Sequence, residues 1–385
     1  MDYNMFGKND IIDAFCELGF DVDVEDCPIK HGEESVKTLQ ELKRLISQFN
    51  YSFVFSSNYY PGLSDICESS KVKYISWTYD SPRIALYDKS INNQCNYAFV
   101  FDSAECIKLR KKGATRVFYM PLGVNVNRID RVGISDKDRE VFGADVSLVA
   151  SLYNEEHNLY DRIYERLSDY NKGMFDALIQ CQKYIFGGFI QEEVLDGNMV
   201  EALYKAMPYA ISEGSLADLE YVYANYFLAR KTATCQRMDF IRRIAKHFDM
   251  KVYSPGNLEG IPFVKHMGVV DYNTDMNKVF KLSKINLNIT LPSIQTGIPL
   301  RALDIMGAGG FLLTDYRPDF EGLFEPGEDF VYYTSIDDAI EKIYYYIEHE
   351  DERINIAENG KNKVEIGFTY AKRLTDMLQI AGFDI

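Results

Sequence analysis

Short apolar runs alternate with amphipathic, helix-like stretches over the first third of the chain. Residues 37–49 and 63–69 have the apolar spacing of helices. The apolar runs have the length and the aromatic and β-branched content of strands, and they cover 51–57, 71–80, 97–103 and 116–123. This alternation predicts a series of βαβ units and hence a parallel, doubly wound sheet. Such a sheet binds its ligands at the carboxyl ends of its strands.

The same alternation starts again with the strand-like run 145–153, after a charged connector. Residues 157–248 then have helical spacing almost throughout. Further apolar runs follow at 250–256, 264–272, 285–291, 309–316 and 330–335. The pattern predicts an α/β fold of two Rossmann-like, doubly wound domains with a helical elaboration in the middle of the chain. We place the N-terminal domain at 1–142, the C-terminal domain at 143–369, and a C-terminal helix at 370–385.

Composition limits what such a fold can do. A chain of 385 residues with 46% hydrophobic content is long enough for two domains with their own cores. The net charge of −16 argues against a broad nucleic-acid-binding surface, so an anionic ligand needs a local positive pocket. No apolar run reaches the roughly 20 residues of a membrane span. Five scattered histidines and seven cysteines without a CxxC pair predict no metal site and a reducing, cytoplasmic location.

One apolar helix, predicted after residue 298, carries two charges that need an explanation. Pro299 suits the first turn of a helix, whose unpaired N–H groups attract a phosphate. Arg301 and Asp304 are three residues apart and therefore lie on one face. An arginine binds a phosphate and a carboxylate accepts from two ribose hydroxyls, so the pair is suited to a nucleotide. The alternative is an ordinary i,i+3 ion pair on a solvated helix.

This helix lies within the stretch "VVDYNTDMNKVFKLSKINLNITLPSIQTGIPLRALDIMGAGGFLLTDYRPDFEGLF", and "YISWTYDSP", "FVFDSAECIKLRKKGATRVFYMPLGVN" and "VSLVASLY" lie nearer the amino terminus. With these stretches the chain shows a resemblance to the CgeB-like (spore maturation protein) glycosyltransferases. It implies a GT-B fold, in which two Rossmann-like domains face a cleft and the second holds the nucleotide-sugar donor. It also implies that the helix at 370–385 crosses back to the N-terminal domain.

The resemblance implies roles for several residues of the second domain. Asp304 falls on the second acid of the E-x7-E motif of retaining enzymes, which contacts the donor ribose. The first acid is replaced by Thr296, which speaks against that retaining mechanism. Arg301 then supplies the charge that a metal would bring to the diphosphate. The remaining predicted donor contacts lie at strand ends and before the helix; they are Ser151, Tyr153, Tyr272, Thr290, Thr296, Gly297 and Ile298.

Local alternatives stay open for these strand-end residues. Ser151 and Tyr153 follow the first strand of the second domain and could face the diphosphate, or form an ordinary strand-to-helix turn. Relatives usually carry glycine where this chain has Ala150. Tyr272 and Thr290 could border the base, or serve only local packing.

The first domain offers a carboxylate for catalysis. Asp80 ends a strand and precedes Ser-Pro, which stops the strand and exposes the side chain. An inverting transfer needs a general base to take the acceptor's proton, and Asp80 is our first candidate for it. Its alternative role is to cap a turn or helix, and a cap is the role we expect of Asp102.

The amino terminus departs from the pattern. A Rossmann-like half should begin with a strand, and only six residues precede Gly7, so we expect a short or truncated first strand. Gly7 would lie in a loop over the cleft.

From these observations we predict that the chain is a metal-independent hexosyltransferase. It would transfer a sugar from a UDP-linked nucleotide-diphosphate sugar to a protein or glycan acceptor. The alternatives are a catalytically silent GT-B partner subunit, a sugar-nucleotide-binding protein, and a sugar-nucleotide epimerase.

Overall fold

The structure of the chain, a computed structural model, describes residues 7–25, 36–154 and 158–385. The strand predicted before Gly7 lies outside the described residues. The described chain forms two compact units. Of the described residues, 7–25, 36–123, 211–218 and 368–385 belong to the first unit, and 124–154, 158–210 and 219–367 belong to the second.

The first unit contains a parallel sheet whose four strands follow one another in chain order. The strands are β1 (Phe53–Ser57), β2 (Lys73–Thr78), β3 (Asn96–Val100) and β4 (Val117–Tyr119), paired β1-β2-β3-β4. The helices of this unit are α1 (Lys8–Glu17), α2 (Val36–Gln48), α3 (Pro61–Ser70), α4 (Ser103–Lys111) and, at the end of the chain, α17 (Tyr370–Ile380). Successive strands are therefore neighbours throughout this sheet, which is the common arrangement for strands joined by short connections.

Helix α17 packs on α1 within the first unit. A Cβ at Gly7, which has φ +80° and caps the start of α1, would lie 2.5 Å from Tyr370 Oη. The ring of Tyr370 meets Trp77 edge-on at 5.9 Å, and Lys73 donates to the carbonyl of Ala381 at 2.7 Å. The positive φ of Gly7 and its close approach to Tyr370 favour glycine at this position, where α17 packs on α1.

The second unit contains a six-stranded parallel sheet. Its strands are β5 (Ala144–Val149), β6 (Met250–Tyr253), β7 (Lys265–Gly268), β8 (Ser283–Asn288), β9 (Leu312–Asp315) and β10 (Val331–Tyr333). They pair in the order β10-β9-β8-β5-β6-β7. The strands β6 and β7 follow β5 on one side of it, and β8, β9 and β10 are then added on its other side. These two sheets confirm the predicted α/β fold of two Rossmann-like domains.

Helices cover the second sheet. They are α5 (Val126–Asp130), α6 (Asp136–Phe142), α7 (Leu159–Ile163), α8 (Asp169–Gln182), α9 (Ile190–Val194), α10 (Gly197–Ala206), α11 (Leu219–Val222), α12 (Ala229–Ile244), α13 (Asp275–Leu282), α14 (Leu300–Gly307), α15 (Ile336–Glu348) and α16 (Glu350–Gly367). Half of these, α7 to α12, lie between β5 and β6. A π-helical turn, Tyr223–Leu228, leads into α12. In the described ranges, the helices are too short or too polar to cross a membrane.

Helices α5 and α6 belong to the second unit, although the predicted boundary after residue 142 assigns them to the first. The contacts of α6 give the reason. Lys251 of β6 donates to the carbonyls of Val141 and Gly143, both at 2.7 Å, and so caps the carboxyl end of α6. Lys278 of α13 pairs with Asp138 of α6 at 2.9 Å. These partners are more than 100 residues away in sequence, so local periodicity did not indicate them.

Candidate functional site

The second sheet reverses its strand order between β5 and β8. Residues Val146 and Ile285 are register partners across this pair. At such a switch point the loops that follow the two strands diverge, and they leave a crevice for a ligand at the carboxyl ends. The two loops here are 150–154 after β5 and 289–299 after β8. The predicted residues Ser151, Tyr153 and Thr290 lie in them.

Arg237 of α12 joins the two loops. Its guanidinium donates to the carbonyl oxygen of Ser151 and, at 2.7 Å, to that of Ile289. The same guanidinium lies over the ring of Tyr153, 5.0 Å from its centroid. Arg237 is only 6% exposed, and its Nε has no hydrogen-bond partner among the described residues. A buried cation thus fixes the separation of the two strand ends.

Arg237 is absent from the residues predicted from sequence, although a signal for it existed. The apolar residues Ala233, Phe240 and Ile241 lie four, three and four positions away and mark the buried face of the helix. An arginine on that face must find acceptors, because an unpaired buried charge is costly. The pattern could have marked Arg237 as buried, but not which carbonyls it binds.

A second set of contacts holds the loop after β5 at Tyr153. This residue has φ +53°, in the left-handed region, where a non-glycine residue needs support. Its carbonyl accepts from Asn158 at 2.6 Å and from the Thr234 hydroxyl at 2.9 Å, and its N–H donates to Ser151 Oγ at 3.3 Å. The guanidinium of Arg230 lies 5.9 Å from the Tyr153 ring centroid. Two arginines of α12 therefore flank this loop.

The loop after β8 is held by a buried ion pair between Asp315 and Arg317, which are 1% and 2% exposed. Asp315 accepts from the N–H of Thr290 at 2.9 Å and from its hydroxyl at 2.8 Å. Arg317 donates to the carbonyls of Ile294 and Gln295. The Thr290 hydroxyl therefore anchors its own loop, and its place beside the base stays a prediction.

The same loop carries polar groups toward α14. The Ser293 hydroxyl is 6% exposed and has no hydrogen-bond partner among the described residues. The carbonyl of Thr296 accepts from the N–H of Asp319 at 3.0 Å, while Gly297 and Ile298 are buried. Burial raises the pKa of Tyr333 well above its usual range, and its hydroxyl stays protonated to donate to the Asn288 carbonyl at 2.9 Å.

Helix α14 begins at Leu300, with Pro299 as its N-cap residue. Arg301 pairs with Asp304 at 3.3 Å, as expected for residues that share a helix face. Asp304 is 1% exposed, and its other oxygen accepts from the Tyr272 hydroxyl at 3.2 Å. The structure thus brings together three predicted site residues, and the burial of Asp304 means that the pair does not lie on a fully solvated helix face.

The charged groups around Arg301 are unevenly exposed. Its side chain is 29% exposed, and its guanidinium lies 5.6 Å from the Phe280 ring centroid and contacts Met276 Sδ. Arg128 lies over the Tyr272 ring at 5.1 Å. Positive charge therefore borders the start of α14, while its carboxylate partner is buried behind it.

In the first unit, Asp80 follows β2 and is exposed. Its carboxylate accepts from Asn58 Nδ2 at 2.9 Å. Asp102 is 2% exposed and accepts from the Ala104 N–H at 3.0 Å, so it caps α4 as expected. No group of three or more His, Cys, Asp or Glu residues within 7–25, 36–154 and 158–385 has the geometry of a metal site.

With this geometry in place, comparison with known proteins defines the class. Residues 234–379 match the protein-family model described as glycosyl transferase-like. The matched segment runs from α12 into α17 and contains Arg237, Arg301 and Asp304. The two parallel Rossmann-like sheets agree with structural neighbours of the GT-B class. The chain therefore has the GT-B fold of glycosyltransferases. The CgeB-like resemblance is narrower than this match and stays a prediction.

Particular relatives are distant. The structure of Anabaena Alr3699/HepE in complex with UDP-glucose has a TM-score of 0.50 at 10% identity and covers 89% of this chain and 81% of that one. Sucrose-phosphate synthase from Thermosynechococcus elongatus has a TM-score of 0.46 at 10% identity, covering 90% and 76%. An uncharacterized protein of Aquifex aeolicus (strain VF5) is 28% identical over 144 residues. That match covers 36% of this chain and 35% of the relative's length.

Proposed function

We propose that the chain is a glycosyltransferase of the CgeB-like kind, which moves a hexose-type sugar from a UDP-linked donor to a hydroxyl of a protein or glycan acceptor. The observation that carries the proposal is the switch point of the second sheet, where Arg237 joins two strand-end loops and one of them leads into α14. The glycosyl transferase-like match over 234–379 and the fold shared with the UDP-glucose complex of Alr3699/HepE support it.

The donor diphosphate would lie against the start of α14. The first N–H groups of a helix have no partner within the helix, and with the helix dipole they favour an anion. Arg301 stands one residue inside this helix, and Arg230 flanks the loop after β5. Two guanidinium groups would supply the charge that a divalent cation supplies in other transferases, so metal independence is part of the proposal.

The nucleoside would lie beside Asp304 and Tyr272. A carboxylate can accept from both hydroxyls of a ribose, and the ring of Tyr272 can border the base. Both oxygens of Asp304 have partners at present, Tyr272 and Arg301. Binding would therefore exchange at least one of these bonds for a bond to the ribose, which leaves Arg301 available to the diphosphate.

The transfer itself would use Asp80 as the general base. The acceptor hydroxyl attacks the anomeric carbon, its proton passes to the Asp80 carboxylate, and the bond from that carbon to the diphosphate oxygen breaks. The departing nucleoside diphosphate keeps the electron pair, which Arg301 and the helix N–H groups stabilise. Thr296 occupies the position of the acid that contacts the sugar in retaining enzymes, so we propose an inverting outcome.

Calorimetric titration with UDP, GDP, CDP and dTDP, with and without magnesium, tests the donor site. We expect UDP alone to bind, without magnesium, and Asp304→Ala to lose that binding. The matched control is Glu201→Ala, which breaks an exposed ion pair with Lys205 on α10 in the same unit. Failure of every nucleotide to bind would refute the donor site. It would favour the catalytically silent partner subunit, an alternative that the replacement of an acid by Thr296 supports.

A second variant separates the donor site from folding. Asp304 is buried, so its loss could weaken the fold, whereas the Arg301 side chain is partly exposed. Arg301→Ala should lower the rate of UDP release from UDP-glucose at least tenfold while the melting temperature stays close to that of the wild type. Turnover equal to wild type would exclude Arg301 from the reaction. Conversion of the sugar nucleotide without release of UDP would instead identify an epimerase.

A further inference from the structure

Asn58 lies at the end of β1, next to the turn that carries Asp80. It has φ +64° and is only 3% exposed. Its side-chain oxygen accepts from the N–H groups of Tyr79 at 3.0 Å and Asp80 at 3.1 Å. Its side-chain nitrogen donates to Asp80 Oδ2 at 2.9 Å. One amide therefore holds both the backbone of the turn and the carboxylate that projects from it.

Two hydrogen bonds of its own backbone fix Asn58 in turn. Its N–H donates to the carbonyl of Trp77 at 2.8 Å, which continues the pairing of β1 with β2. Its carbonyl accepts from the Ser56 hydroxyl at 2.7 Å. That hydroxyl also bonds to the buried Tyr74 hydroxyl at 2.6 Å. The amide group thus projects from a rigid part of the sheet, as the support for a reactive group requires.

Asparagine has the combination of properties that this position uses. It tolerates the left-handed region better than other non-glycine residues, and its amide carries an acceptor and a donor at once. Aspartate would tolerate the same backbone and still accept from the two N–H groups, but it has no donor for Asp80. Glycine would keep the backbone and lose all three side-chain bonds.

We propose that Asn58 is a positioning residue that orients the Asp80 carboxylate toward the acceptor hydroxyl. The proposal rests on the proposed function, because it needs Asp80 to be the general base. By holding Oδ2, Asn58 restricts the rotation of the exposed Asp80 side chain. Misplacement of a reacting group by about 1 Å can cost a hundredfold in rate, so a single fixed orientation matters for catalysis.

The test compares Asn58→Asp and Asn58→Gly with wild type in the release of UDP from UDP-glucose, with water or an added acceptor. We expect kcat to fall roughly ten- to a hundredfold, with KM for UDP-glucose and the affinity for UDP unchanged. The matched control is Lys71→Gly, since Lys71 also has a left-handed backbone, φ +56°, at the end of α3. Wild-type kcat in both Asn58 variants, or an equal loss in Lys71→Gly, would overturn the proposal.

Crystal structures of the variants give a readout that does not depend on turnover. Asp80 should adopt one rotamer in the wild type and several in Asn58→Gly, with an unchanged course of the sheet. A single, unchanged Asp80 rotamer in Asn58→Gly refutes the positioning role, whatever the enzyme does. Wild-type kcat in Asp80→Asn refutes the base assignment instead, so the two failures are distinguishable.

Discussion

Replacing Arg237 by methionine should destabilise the second unit and weaken the binding of UDP. The change removes a buried guanidinium that donates to the carbonyls of Ser151 and Ile289 and lies over the Tyr153 ring. Methionine fills much of the same volume without a donor, so the partly buried carbonyl of Ser151 and the buried carbonyl of Ile289 both lose this donor. The loops that these carbonyls belong to would then be held only by their other contacts.

The magnitude follows from those bonds. Two hydrogen bonds from a charged donor are worth about 3–6 kcal/mol together. Part of this is offset because the buried charge, with its unpartnered Nε, no longer has to be desolvated. We therefore expect Arg237→Met to lower the free energy of unfolding by about 2–4 kcal/mol. Arg242→Met is the control on the same helix, since Arg242 is 49% exposed and pairs with Asp239 at the surface. It should cost less than about 0.5 kcal/mol.

Urea unfolding followed by far-UV circular dichroism measures the difference, and peptide-level hydrogen exchange locates it. Exchange should rise in peptides that cover 144–154 and 283–298, the strands and loops that Arg237 joins. The affinity for UDP should fall in parallel. A loss of less than 1 kcal/mol, or a loss equal to that of Arg242→Met, would show that the two carbonyls do not depend on this arginine. Increased exchange confined to other segments would refute the location.

Two further predictions concern packing and pH. Gly360→Ala should lower the free energy of unfolding in urea by about 1–3 kcal/mol, because a Cβ would collide with the Asp329 carbonyl. The control is Gly173→Ala, at a helical position where a Cβ has nothing within 4 Å, and it should be neutral or stabilising by up to about 1 kcal/mol. Equal effects of the two changes would refute the collision. Hydrogen bonds from Ser135 lower the pKa of Asp138 to about 2, from an ordinary value of 3.8. The resulting stabilisation is present above pH 3.8 and disappears as the pH falls through 2. Wild type and Asp138→Asn should therefore differ in urea midpoint at pH 5 and converge near pH 2, and a constant difference would contradict this.

Much of the fold could be predicted from the order of apolar runs. The strands β1, β2 and β4 lie inside predicted runs, β3 starts one residue before its run, and the parallel arrangement followed from the helices between them. Capping was also local information, because Asp102 needs only the N–H groups two residues ahead to close the turn. The pairing of Arg301 with Asp304 is likewise a consequence of helix geometry alone.

Other features depend on contacts between distant parts of the chain. The segment Ile211–Asp218 packs in the first unit, where the Leu216 N–H donates to the Tyr87 carbonyl at 2.7 Å and Asp218 pairs with Lys112. Periodicity assigned this segment to the helical elaboration of the second domain. Nothing in its own spacing indicates an acceptor some 130 residues earlier in the chain.

The candidate site shows the same difference between local features and contacts of distant residues. Local patterns were enough to predict that carboxylates and hydroxyls follow the strands and that a charged helix begins near Pro299, because turn chemistry and helix period are local. The contacts by which Arg237 joins the loops after β5 and β8, and by which Asn58 holds Asp80, arise from the folded arrangement of the strands. Their partners are 52 and 22 residues away, and which groups meet over such distances depends on strand order and register. A buried polar group must find a partner, but the fold decides which one it finds.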